Sequence, residues 1–484
     1  MQPHRASPAT PPARMTTPTT AWSIAAPLAA ALYAAAFLSS AAATARAGQW
    51  VPRFAARDMD NSVNSMTIFD DGSGPALFVG GNFTMAGHTF ANKITKWQDD
   101  DWHPLDGGIG ASSGFVWAMT TFDDGSGPAL FVVGDFIVAG GQTVNRIAKW
   151  DGVHWYPVGG GMNSTIRGAL TTFDDGTGLA LYAGGDFTTA GGIEASHIAK
   201  WDGVKWSPVG GGTEGVYNSV RALLVHNDGS GPALYAGGSF ASAGGVTVNG
   251  IARWNGSEWS ALGAGVGAPT PSARLVRGLG IYNDGTGLAL YATGQFSTAG
   301  DVSAPGIAKW DGAEWSAVGT GLGADPPSAM TGRRLAVLND GYQSLLVVCG
   351  TFTTAGGRPA NYIARWNGNN WAPLGAGLDY TVYAITVFDE GDGPALFTGG
   401  SFMMAGGVSA RRIAKWVPGP PTPFDCDDDG DVDLADLAAF ATCLAGPEVR
   451  VIPGCAVIND SDGDTDVDVA DFAAFQRTFA DIAQ

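Results

Sequence analysis

A Gly-x-Phe core returns seven times along this chain, as GGNF, VGDF, GGDF, GGSF, TGQF, CGTF and GGSF, ending at Phe83, Phe136, Phe187, Phe240, Phe296, Phe352 and Phe402. The intervals are 53, 51, 53, 56, 56 and 50 residues. A unit of that length cannot bury its own apolar face, so successive copies must stack, in a ring or in an open array. With 484 residues the chain also exceeds what one hydrophobic core serves. Seventy-two glycines and sixteen tryptophans beside 15% charged residues describe short strands and tight turns rather than long surface helices.

Each unit reads as four short strands. In the third copy they cover 166–173, 180–183, 198–201 and 206–209, joined by Asp-Gly turns at 174–178 and 202–203, where glycine accepts a positive φ. Paired tryptophans flank the last turn of six units: Trp97 and Trp102, Trp150 and Trp155, Trp201 and Trp206, Trp254 and Trp259, Trp310 and Trp315, Trp366 and Trp371. Such rings pack across the hairpin or between neighbouring sheets. The seventh unit stops at Trp416 without its second tryptophan strand, and Gln49-Trp50-Val51-Pro52 supplies the match, aligning with Trp155-Tyr156-Pro157-Val158. A sheet built from both ends closes a ring and removes the open edge that an array would leave.

Four antiparallel strands per unit is the anatomy of a propeller blade. Residues 50–416 resemble the kelch and galactose-oxidase-like propellers, and are most similar to secreted repeat proteins with GGxFTxAGG, IAxWDGxxW and PLGxG elements. The resemblance implies a fold and no single activity, since these motifs are the packing parts of each blade.

The repeats offer little chemistry. None of His4, His88, His103, His154, His197 and His226 forms HExxH or another close metal pair. Galactose-oxidase-like copper chemistry would need tyrosine and histidine ligands with a cysteine cross-linked to tyrosine, and no such set is present; sialidase-type SxDxGxTW boxes are absent too. Cys349 lies in an apolar run and reads as a free buried thiol. The recurring acidic loops, FDDGSG in the first two units and FDEGDG in the last, suit turns better than the two facing carboxylates of a glycosidase. Lys96, Lys149, Lys200, Arg253, Lys309, Arg365 and Lys415 each precede the first tryptophan of a unit, on the opposite strand face, and are expected to guard outer blade edges.

Of the net charge of −19, −13 falls within 424–484, where fourteen Asp and one Glu meet only Arg450 and Arg477. No basic stripe is evident, which argues against nucleic acid. After the proline-rich spacer 417–424, Asp425, Asp427, Asp429, Asp431, Asp433 and Asp436 occupy positions 1, 3, 5, 7, 9 and 12 of a calcium loop, with Gly430 at the sharp turn. The pattern returns as Asp460, Asp462, Asp464, Asp466, Asp468 and Asp471, with Thr465 at position 6. An oxygen-only donor set selects a hard cation, and calcium fits best. Amphipathic helices follow, carrying Leu434, Leu437, Phe440 and Leu444 in one and Val469, Phe472, Phe475 and Phe479 in the other.

Two loop-plus-helix units in about sixty residues resemble a type I dockerin, which implies two bound calcium ions and a helix face that docks into a cohesin. Leu434-Ala435 and Val469-Ala470 stand where cellulosomal dockerins often carry Ser-Thr recognition pairs. A calcium-stabilised cap without a partner is the other reading of the same loops.

Residues 1–47 read as an export leader: Arg5 and Arg14, an apolar stretch from Ala21 to Leu38, and an A-x-A site at Ala45-Arg46-Ala47. Membrane contact follows only if that leader stays uncleaved. Export makes a disulfide among Cys426, Cys443 and Cys455 plausible, with the pairing open. The expectation is an all-β seven-bladed propeller of four-stranded antiparallel blades over 48–416, plus a small α-helical calcium domain over 425–484. Its function would be secreted or cell-surface, non-catalytic binding of a cohesin-like protein, a surface protein or a glycan. The alternative is a propeller glycoside hydrolase carrying a dockerin.

Overall fold

The computed structural model describes residues 48–54, 58–110, 114–215, 217–268, 274–324, 332–340 and 343–419, together with Phe424, Asp436, Asp471, Ala473 and Ala474. Two compact units divide the chain, one spanning Thr44–Asp431 and the other combining Met1–Ala43 with Val432–Gln484.

In the first unit the repeats form seven four-stranded antiparallel sheets among the described residues. The third copy is representative, with strands Ala169–Asp174, Leu179–Gly184, Ile198–Trp201 and Trp206–Pro208. Its first strand begins three residues later than the apolar pattern implies, because Gly168 turns the chain at φ 108° before pairing starts. The first strands of successive sheets touch in cyclic order: Val63–Asp70, Val116–Asp123, Ala169–Asp174, Val220–Asn227, Leu275–Asn283, Gly332–Asn339 and Val382–Asp389, the last of which contacts the first. The architecture is an all-β propeller with these inner strands around its axis.

The core is divided accordingly. Seven apolar clusters each lie between two adjacent sheets, such as Phe131 and Val133 against Phe187 and Trp201, or Val63 and Leu77 against Phe397 and Ile413. Flat faces must come close for this, and Gly399 shows how: a Cβ there would run into Val63 of the neighbouring sheet. The FTxAGG element is a two-residue hairpin, in the second repeat pairing Val138–Ala139 with Gln142–Thr143. Gly140 and Gly141 hold positive φ at its turn, and a Cβ on Gly140 would sit 2.6 Å from Trp155.

The tryptophans serve both expected roles. Within a hairpin their rings meet at 4.8 to 5.3 Å. Between sheets, the indole N–H groups of Trp206, Trp259, Trp315 and Trp371 donate to the carbonyls of Val158, Val209, Leu262 and Val318 in the preceding repeat. The seventh sheet takes its outer strand from the other end of the chain, Gln49–Val51 pairing with Ile413–Val417.

In the second unit Asp436, Asp471, Ala473 and Ala474 are helical, and both aspartates are buried. The other ten proposed metal ligands, the three tail cysteines and the leader lie outside the described residues.

Candidate functional site

The acidic loops and the ring of cations explain each other. In the first repeat the Asp70 carboxylate accepts from the backbone N–H groups of Gly72 and Gly74, which fixes the turn. The second acid points inward to the cation of the same sheet: Asp71 to Lys96 at 2.7 Å, Asp124 to Lys149 at 2.6 Å, Asp175 to Lys200 at 2.7 Å, Asp228 to Arg253 at 3.3 Å, Asp284 to Lys309 at 2.5 Å and Glu390 to Lys415 at 2.6 Å. These cations are therefore not edge guards but mostly buried partners of the turns. Among the described residues these six cations are engaged by their turns and so are not a free positive ring for an acidic polymer. In three repeats a tyrosine hydroxyl adds a bond to the same carboxylate, from Tyr182, Tyr235 and Tyr291.

A different set of side chains faces the axis. Six of the seven inner strands carry a register shift near their start, between Val63 and Ser65, Val116 and Ala118, Val220 and Ala222, Val276 and Gly278, Gly332 and Arg334, and Val382 and Ala384. A bulge of this kind re-aims one side chain out of the alternation. The re-aimed residues are Asn64, Trp117, Arg221, Arg277, Arg333 and Tyr383. All six line one cavity of about 450 Å³, with Arg167 and Arg334 beside them.

Five arginines thus converge on one mouth of the channel. Arg167 and Arg221 share Asp186, at 3.3 and 3.2 Å. Arg334 reaches across the axis, donating to the Arg277 carbonyl at 2.8 Å and the Gly168 carbonyl at 3.5 Å. A Cβ on Gly168 would sit 2.6 Å from the Arg334 guanidinium, so glycine keeps that path open. Arg333 lies over the Tyr383 ring, 4.9 Å from its centre. On the other wall Phe115 and Trp117 stack at 5.6 Å. Among the described residues no carboxylate pairs with Arg277, Arg333 or Arg334, and the buried Nε atoms of Arg221, Arg277 and Arg333 have no hydrogen-bond partner. Burial, then repulsion from Arg333, Arg221, Arg334 and Arg167, draws the Arg277 guanidinium down to about 9.

The chemistry this arrangement offers is recognition of negative charge. Guanidinium forks match oxyanions in two-point geometry, and aromatic walls supply a stacking face. The cavity lining contains no Asp or Glu, so the facing carboxylates of a glycosidase are not part of it. Sequence reading missed the cluster, although a signal existed: Arg221, Arg277 and Arg333 recur 56 residues apart, each six residues before the turn.

Cys349 is a free buried thiol, as the sequence implied. Among the described residues no group of three or more His, Cys, Asp or Glu side chains is placed to hold a metal ion.

The trace is similar to a chain in the crystal structure of the mitotic checkpoint complex, at 13% identity and a TM-score of 0.43, covering 79% of this chain and 97% of that one. It is also similar to one in the structure of BBS1N in complex with ARL6DN, soaked with mercury, at 11% identity and a TM-score of 0.38, covering 79% and 94%. No family model matches the chain, and no curated protein does.

Proposed function

We propose that this chain is an exported, non-catalytic binding protein: a seven-bladed, kelch-like propeller that receives its ligand at the arginine-lined mouth of the central channel. The observation that carries the reading is the set of bulges. The packing residues of each repeat are nearly the same, whereas Asn64, Trp117, Arg221, Arg277, Arg333 and Tyr383 vary in chemistry while sharing one register and one cavity. Positions exempt from the repeat's packing rule are where a scaffold carries a site.

The tail, on this reading, is a calcium-folded module of dockerin type that tethers the ring to a cohesin-like or other surface protein. One feature supports the cation: an oxygen-only donor set at loop spacing, whose position-12 carboxylates, Asp436 and Asp471, stand at helical residues. Asp425, Asp427, Asp429, Asp431, Asp433 and Asp436 would hold one ion, and Asp460, Asp462, Asp464, Asp466, Asp468 and Asp471 the other.

The test is a thermal-shift screen of the full-length protein against neutral and acidic glycans, with product analysis of each hit. Binding without bond cleavage, weakened by Trp117→Ala, is the expected result. Release of reducing ends would put the alternative, a glycoside hydrolase, ahead of the binding reading.

A further inference from the structure

We infer that the ligand of this cavity is an oligoanion: a compact molecule carrying two or more carboxylate, sulfate or phosphate groups on a body that stacks against an aromatic face. The inference deepens the binding reading and rests on it.

Charge comes first. Five guanidinium groups converge on a cavity of about 450 Å³ while the nearby ion pairs supply one carboxylate, Asp186, which already serves both Arg167 and Arg221. Cations held for structure in this ring are matched by acids: in six repeats a lysine, or in one case Arg253, faces a turn carboxylate. The excess is therefore local and unbalanced, in a protein whose net charge is −19. Crowding like charges at a half-buried site opposes folding, and a bound anion removes that cost.

Valence and shape follow from placement. Arg221, Arg277 and Arg333 come from three successive inner strands and approach the axis from three directions. A monoanion answers one fork, leaving the others uncompensated. Arg277 and Arg333 have no carboxylate partner among the described residues, and a second or third oxyanion group would supply one. The volume lies in the range of small-molecule sites and is too small for a folded domain. The stacked Phe115–Trp117 pair and Tyr383 give a planar or ring-shaped body a face to rest on.

Titration calorimetry on the full-length protein decides it, using trigalacturonate for carboxylates, a multiply sulfated disaccharide, tripolyphosphate, inorganic sulfate, and neutral maltotriose and cellotriose. At least one oligoanion should bind, and inorganic sulfate should bind at least tenfold more weakly. Raising the salt should weaken binding. Arg277→Gln should cost about ten- to a hundredfold in affinity, the usual worth of one charged hydrogen-bonding group. Melting curves of the variant confirm that it is folded.

Which oligoanion wins identifies the source among acidic sugar, sulfated sugar and polyphosphate. Tight binding of a neutral trisaccharide, lost in Trp117→Ala and unchanged in Arg277→Gln, would overturn the oligoanion while leaving the binding reading intact. Hydrolysis of a probe would sink that reading itself. Failure of all three oligoanions to bind, or binding indifferent to Arg277→Gln, would overturn the inference.

Discussion

Trp50 and Trp416 lie opposite each other in one strand pair, with ring centres 5.2 Å apart at 67°, although 366 positions of sequence separate them. The Trp50 indole also donates to the Leu374 carbonyl at 3.0 Å, as its counterparts do in other repeats. Arg53, just past the strand, meets Glu390 at 3.1 Å, and Glu390 in turn holds Lys415. The two ends of the ring are thus joined by an edge-on ring contact, a backbone bond and a shared carboxylate.

Replacing Trp50 by alanine should therefore cost about 3–5 kcal/mol, the usual range for truncating a buried tryptophan. Urea unfolding of wild type and variant measures it. Trp206→Ala, which removes the same contacts inside a continuous repeat, is the control. A loss below about 1 kcal/mol at Trp50 would mean that closure is held elsewhere.

Acid should weaken the ring in a defined window. Burial alone would raise the carboxyls of Asp175, Asp228 and Asp284, but hydrogen bonds from Lys200 to the first, Ser230 to the second and Lys309 to the third, with tyrosine hydroxyls added, hold all three at about 2. An unfolded aspartate titrates near 3.9, so the native state holds its charged form more firmly than the unfolded chain does. The resulting stabilisation is complete above about pH 4 and disappears as pH falls towards 2. Denaturation midpoints measured from pH 6 to pH 2 should drop over that interval, and Asp175→Asn should flatten part of the drop.

The contrast between these pairs and the channel arginines shows what a sequence can and cannot disclose here. Phe83, Phe136 and their kin, the tryptophan pairs, and the completion of the last repeat by Trp50 were all legible, because packing repeats and repetition is visible. That Lys96 sits on the face opposite Trp97 was legible from alternation. Its pairing with Asp71 was not, since the contact crosses an intervening strand whose register no local pattern states. The channel was harder still. A bulge adds one residue to a strand, and in sequence Arg277 looks like one more alternating position until pairing shows Val276 and Gly278 facing consecutive partners. Arg167 lies one residue further from its turn than Arg221, which hides it from the common spacing.

Cys349 should be chemically silent in the native ring. Its thiol is buried in the second strand of the sixth sheet, beside the backbone of Arg334, and burial pushes it up to about 12 despite the positive charge of that arginine. The thiolate that reacts with alkylating agents is then essentially absent at neutral pH. Iodoacetamide followed by peptide mapping should leave Cys349 unmodified in the native protein and label it in urea.

Calcium should bind the tail, and the first loop should matter more. On the calcium-loop reading, position 6 calls for a conformation that favours glycine, as at Gly430, and would cost a non-glycine residue such as Thr465 about 1 kcal/mol. In the full-length protein, Asp436→Ala should lose more calcium affinity than Asp471→Ala, and a chelator should lower the helical signal. Calorimetry with calcium against both variants measures the order. Equal losses would show that the threonine turn carries no penalty.

Arg277→Gln should make the unliganded protein more stable. Charged, the half-buried Arg277 sits among Arg221, Arg333, Arg334 and Arg167 with no carboxylate of its own among the described residues, so folding brings like charges together without compensation. Glutamine keeps a polar head and much of the stem while removing the charge. The gain should be about 0.5–2 kcal/mol, the size typical of relieving a site kept for function. Arg334→Gln is the informative opposite. Its guanidinium bonds the carbonyls of Arg277 and Gly168 across the axis, and losing it removes charge-assisted hydrogen bonds between sheets, at about 1.5–3 kcal/mol. Two arginines in one cluster thus respond to the same substitution with opposite signs, one because it carries charge into the channel and the other because it spans it. Adding the tightest-binding oligoanion should reverse the first effect, raising the wild-type melting temperature above that of Arg277→Gln, since ligand stabilisation grows with the logarithm of affinity for the folded state. Melting curves of the three proteins with and without ligand test both signs, and an Arg277→Gln variant less stable than wild type in the absence of ligand would show that this arginine serves the fold.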